Sequence, residues 1–144
     1  MGKLADLELC IMSCLLIKPE LMKEIEFEDK HITKHKRLWE FMKSFYKKFG
    51  NFDIQLMYSV CDNKLNFENY ILRVSEIEIN PNNFYLYQKR LMEEYEENKK
   101  EEFITKFVYR LANELYVRSI NSKQFKEKIE EIYQMADKSF DDNV

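Results

Sequence analysis

Glycine and proline are nearly missing from this sequence, with two of each in 144 residues. Hairpins and many-stranded sheets draw on those residues for their turns, so a β-rich architecture is excluded and helices joined by short loops remain. With glycine only at positions 2 and 50, no GxxxxGK[ST] loop can be written, and the backbone cradle that such a loop offers to nucleotide phosphates is absent. No apolar run approaches the roughly 18 residues of a membrane span. The longest, LCIMSCLLI at 9–17, follows Asp6 and Glu8 and has no small-residue cleavage site, so it does not read as a signal peptide and a cytoplasmic location is expected. The cysteines are three, an odd number, and Cys10 and Cys14 stand four apart on an apolar helix face, where they serve as core filler. A surplus of basic charge is also lacking. The net charge of -3 and pI near 5.6 give no general attraction for phosphate backbones, so any DNA contact must be local.

What is present is a folded chain of one domain, 45% hydrophobic and 34% charged. The periodicity predicts a first helix from Asp6 to Ile17, with Leu7, Cys10, Ile11, Cys14 and Leu15 on its apolar face. Pro19 ends it and suits the first turn of a short second helix through Ile25. Thr33 is expected to cap a third helix carrying Leu38, Trp39, Met42, Phe45, Tyr46 and Phe49, which Gly50 stops in the left-handed conformation. Asp53 caps a fourth helix through Cys61, and FENYILRVSEI forms a fifth with Tyr70, Ile71, Val74 and Ile77 on one side.

Beyond NPNN at 80–83 no breaker occurs until about Ser119, which predicts one helix of more than thirty residues, against a usual length of about 11 to 12. Its middle, EEYEENKKEE at 93–102, is a solvated stretch with intrahelical pairs such as Glu96 with Lys100. An apolar stripe then resumes at Phe103, Phe107, Leu111 and Leu115, and a last helix, capped by Ser122, carries Phe125, Ile129, Ile132 and Ala136. The two stripes should meet in an antiparallel hairpin. Tyr109, Tyr116, Val117 and Tyr133 are left facing elsewhere, which points to self-association. The fold expected is all-α: a compact head of about five short helices over 4–80, then the long and shorter helices over 82–140, in one domain.

Few groups suggest chemistry. His31 and His35 stand four apart near Asp29, but a helix start at Thr33 separates them and no third ligand is evident, so no metal site is assigned. Lys30, Lys34, Lys36 and Arg37, beside Trp39, form a local basic patch, most simply a solvated face and otherwise a contact for an acidic partner or for DNA. Glu93 and Glu97 share a helix face as carboxylates of any acidic helix do. Without a glycine-rich loop or an activated nucleophile, no enzymatic activity is expected.

The series LLIKPELMKEI, then HKRLWEFM, then FG and NFDIQLM, continued by NPNNFYLYQKRLMEE and the last two helices, resembles the N-terminal domain of replicative DNA helicases of the DnaB family. The similarity covers residues 4 to 140 and lies in order and spacing. Leu15, Leu16, Pro19, Glu20 and Leu21 stand at the family's LL.PEL positions, His35, Leu38 and Trp39 at its HR.IF positions, and Asp53 at the aspartate that opens the next helix. Leu9 and Ser13 replace the usual glutamine and glycine, and Asn51 replaces a proline.

The resemblance implies a collar that dimerises through its hairpin, assembles as a dimer or trimer of dimers, and docks primase or a helicase loader. It implies no cofactor. For this chain it implies a non-catalytic protein–protein interaction module of DNA replication, with Phe103, Phe107, Leu111, Leu115, Phe125, Ile129 and Ile132 at the self-association or partner interface. Its partners would be a replicative helicase, primase or helicase loader, with no membrane contact. Two alternatives stand beside it: a nucleic-acid-binding accessory protein using Lys30, Lys34, Lys36 and Arg37, and the N-terminal part of an ATP-dependent helicase whose motor is not in this sequence.

Overall fold

The computed structural model describes residues 2–117 and 120–141. Among them there is no strand: helix α1 spans Lys3–Ile17, α2 Lys36–Phe49, α3 Ile54–Val60, α4 Lys64–Ser75, α5 Phe84–Tyr116 and α6 Ser122–Asp141. Short 3₁₀ turns at Pro19–Glu24, Asp29–His31 and Pro81–Asn83 link them. The all-α expectation therefore holds, with 3₁₀ turns standing where part of the head was expected to be α-helical. Compact packing divides the chain into two units, Met1–Glu94 and Tyr95–Val144. The division falls inside α5, so the first turns of the long helix pack with the head.

In the head unit, α1 is buried on most sides. Leu4, Leu9, Ile11, Met12 and Leu15 are among its core residues, whereas the sequence pattern gave it a single apolar face. Leu7 is half-buried and Leu9, outside that face, is 2% exposed. A helix surrounded by neighbours loses its one-sided pattern. Pro19 opens the next turn as expected. Gly50 stops α2 at φ 70°, its N–H returning to the Tyr46 carbonyl at 2.7 Å. That is the left-handed stop which glycine adopts without a Cβ penalty.

Asp53 caps α3 by accepting the Leu56 N–H at 3.0 Å, and Asn63 caps α4 by accepting that of Asn66 at 3.0 Å. Gln88, on the first turns of α5, is 1% exposed. Its side-chain oxygen accepts the Glu26 N–H at 2.6 Å and its amide nitrogen donates to the Glu24 carbonyl at 3.3 Å. One side chain thus satisfies backbone groups where the chain leaves the Pro19–Glu24 turn. Phe84 and Leu91 are buried beside it in sequence, one turn before and one after.

In the second unit, the sense of α5 against α6 is fixed by two ion pairs. Lys100 pairs with Asp137, and Glu114 pairs with Lys128 at 3.9 Å. Residue numbers rise on one helix as they fall on the other, so the two are antiparallel, as the matched stripes predict. Ser122, expected to cap α6, is its first helical residue. Asn121 caps instead: its side-chain oxygen accepts the Gln124 N–H at 2.8 Å, and the Gln124 side chain accepts the Asn121 N–H at 3.0 Å. This reciprocal capping box satisfies two backbone donors that a helix start otherwise leaves open.

Candidate functional site

The seven residues assigned to the hairpin interface differ in burial. Leu111 and Ile132 are buried, at 6% and 8% exposed, and Ala136 is fully buried. Phe103, Phe107, Leu115, Phe125 and Ile129 remain half-buried. The Phe103 and Phe107 rings lie 4.7 Å apart, and the Arg110 guanidinium sits 5.2 Å from the Phe107 centroid. Two helices packed along one seam leave the flanks of that seam in water. Outside the seam, Tyr109, Tyr116, Val117, Tyr133 and Met135 are 74%, 86%, 60%, 49% and 54% exposed. The head unit exposes apolar side chains as well, among them Ile17, Leu65, Leu72, Tyr85 and Leu86.

The charged middle of α5 is laced as expected, with different partners. Arg90 donates to Glu93 and Glu94 at 2.8 Å each. Lys99 pairs with Glu102 at 3.5 Å. Lys100, foreseen as a partner of Glu96, reaches the other helix at Asp137.

The start of α2 departs most from expectation. Thr33 does not cap it: the helix begins at Lys36 with His35 as its N-cap, and no side chain of the cap closes it. The carboxylate of Glu8, on α1 and fully buried, does this work. It accepts the backbone N–H groups of Thr33 at 3.1 Å, Lys34 at 3.1 Å and His35 at 2.8 Å. Three converging donors and the positive end of a helix compensate the burial of a charge. Sequence reasoning missed Glu8. Its signal was its register, four residues after Leu4 and three before Ile11, a carboxylate on a stripe that turns inward.

His35 is 5% exposed, and its Nε2 finds no partner. The Tyr70 ring meets it edge-on at 5.7 Å. Burial pushes the imidazole below its ordinary pKa of 6.5, against an opposing pull from Glu8, which keeps it neutral. His31 is buried too, and its Nδ1 accepts the Glu28 N–H at 2.9 Å. Asp29, the third residue of that sequence cluster, accepts from Trp39 Nε1 at 3.0 Å and from Lys43 at 2.6 Å. Those two donors, Lys43 foremost, hold the Asp29 carboxyl below its usual range. Among the described residues, no group of three or more His, Cys, Asp or Glu is placed to hold a metal ion.

The basic patch is exposed but only partly free. Lys30 pairs with Glu28 at 3.6 Å, while Lys34, Lys36 and Arg37 form no ion pair among the described residues. Trp39, read as the aromatic beside them, is 3% exposed and packs on Phe27 at 5.3 Å. It cannot stack on a base. Cys14 is fully buried and its thiol is pushed up to about 12, chiefly by that burial, as a structural thiol should be. Cys10 and Cys61 are half-buried.

Among the described residues no helix is long and apolar enough to cross a membrane. Comparison with protein-family models, with curated proteins and with solved structures gives no match for this chain.

Proposed function

We propose that this chain is a non-catalytic protein–protein interaction module of DNA replication, acting as the helicase collar it resembles in sequence: it self-associates through the α5–α6 hairpin and docks a helicase, primase or loader. The observation that carries this reading is the unfinished burial of the hairpin stripe. Five of its seven apolar residues are half-buried within the chain, and a second copy laid along the same seam completes them. At about 25 cal/mol per Å² of apolar surface, covering such a stripe supplies the main driving force for association. An isologous pairing also suits a surface presented identically by each copy.

The test has two stages. Light scattering of the purified protein across a concentration series is expected to give a dimer or a trimer of dimers. Immobilised protein is then expected to retain purified replicative helicase, primase or loader from the same source. A strict monomer that retains none of the three would sink this reading.

A further inference from the structure

The head carries a cleft of about 550 Å³ between α2 and the start of α4, within the size range of sites that hold an anchoring group. Its direction is fixed by two ring contacts. His35, just before α2, meets Tyr70 at 5.7 Å, while Phe41, further along α2, meets Phe67 at 5.9 Å. Advancing along α2 means retreating along α4, so the walls are antiparallel. Leu38, Phe41, Phe67 and Tyr70 contribute apolar surface to the lining. Leu38 and Phe67 are buried, and Phe41 and Tyr70 are half-buried at the opening.

The cleft is electrically polar along its length. Arg37 lines the end beside Tyr70, with the exposed, unpaired ammonium groups of Lys34 and Lys36 close in sequence. Asp62 stands two residues before α4, just ahead of its cap Asn63, and so lies toward the opposite end, where Ser44 and Cys61 also line the cleft. Arg37 and Ser44 are two helical turns, roughly 10 Å, apart. Glu40 stands between them on α2. Neither Glu40 nor Asp62 has an ion pair among the described residues.

We infer that this cleft docks a short amphipathic segment of a partner protein. The segment's leucyl or aromatic side chains lie on the aromatic floor, a carboxylate faces Arg37, and a lysine or arginine faces Asp62 and Glu40. The charge order supplies the complementarity that sets orientation and excludes segments of a single charge sign. A nucleic acid fits less well, since two of the three charged residues lining the cleft are carboxylates and repel phosphate. The inference rests on the interaction-module reading above but uses a surface separate from the hairpin seam.

The test uses the full chain and three synthetic 14-residue peptides that share one Leu/Phe stripe. One has glutamate at one end and lysine at the other, one has glutamate at both ends, and one has lysine at both. Fluorescence anisotropy is expected to show the mixed peptide binding roughly tenfold more tightly than either single-sign peptide. Arg37→Glu should move the preference to the lysine-flanked peptide, and Asp62→Lys should move it to the glutamate-flanked one. Both residues are exposed, so the variants should fold, which circular dichroism checks. The mixed peptide should also slow alkylation of Cys61, read by peptide mapping. The inference is overturned if no peptide binds saturably, if the two reversals leave the order unchanged, or if Cys61 is not protected. A chain that oligomerises yet ignores the peptides rejects only this cleft, whereas a strict monomer that binds them and retains no replication protein rejects only the collar reading.

Discussion

The Glu8 carboxylate, with no exposure to solvent, accepts the backbone N–H of His35 at 2.8 Å across 27 residues of sequence. It binds the Thr33 and Lys34 N–H groups as well, so one side chain joins α1 to the start of α2. Glu8→Ala removes the acceptor and leaves three donors, that of His35 buried and those of Thr33 and Lys34 part-buried. At about 1 to 3 kcal/mol for each buried group left unsatisfied, partly relieved by water entry, the head should lose roughly 3 kcal/mol. Glu8→Gln, which keeps one acceptor oxygen but not the charge, should lose less. Urea unfolding followed by circular dichroism measures both, and an Ala variant within 0.5 kcal/mol of wild type, roughly the scatter of surface changes, would contradict the junction.

His35 gives that junction a pH dependence. Its imidazole is buried beside Tyr70, and the charges that act on it are Glu8 and Asp6 from α1 and Arg73 from α4. Burial dominates and lowers the folded-state pKa below 6.5. The unfolded chain therefore binds the proton more readily than the folded one. Stability from this group is complete above about pH 6.5 and falls as pH drops through the folded value. His35→Gln, which cannot titrate, should flatten that part of the profile while costing some stability at pH 7. Thermal melts from pH 7.5 down to 5 compare the two proteins. An equal acid slope in both would assign the loss to another group.

How much of this was legible in the sequence depends on how local the signal is. Gly50, Asp53 and Pro19 act within one turn of themselves, and their roles follow from residue type and position. The 33 residues of α5 were legible because nothing between Phe84 and Tyr116 interrupts a helix. The start of α2 was not, because its cap comes from Glu8, 25 to 27 residues earlier. Local propensity favoured Thr33, which sits in the right place and leaves the task to a distant carboxylate. The same limit hid Gln88, whose partners are 62 and 64 residues away. The hairpin stripe was legible as a pattern, but its incomplete burial appears only when the two helices are paired.

The turn between α5 and α6 offers a local test. Asn121 and Gln124 each accept the other's backbone N–H, and Ser122 makes no such contribution as the first residue of the helix. Asn121→Ala should lower stability by about 1 kcal/mol, the typical worth of a cap, whereas Ser122→Ala should be near neutral. Amide hydrogen exchange at residues 122–125 reads the effect in place. Equal protection in both variants would return the cap to Ser122.

Phe107 separates packing within one chain from packing between chains. Its ring is half-buried, against Phe103 at 4.7 Å and beneath Arg110 at 5.2 Å. Full burial would make truncation to alanine cost about 3 to 5 kcal/mol. Half-burial lowers the share lost within a single chain to about half of that. If a second copy covers the ring, the remaining loss appears in association, and a difference of about 1.4 kcal/mol weakens it tenfold. Phe107→Ala should therefore keep its helical circular dichroism and shift the oligomer midpoint on light scattering to roughly tenfold higher concentration. The Ile132→Ala variant, at a residue already buried within the chain, should instead lose chain stability first. Were Phe107→Ala to melt early while its oligomer midpoint stayed fixed, the ring would belong to the hairpin's own packing and the second copy would have to bind through another face.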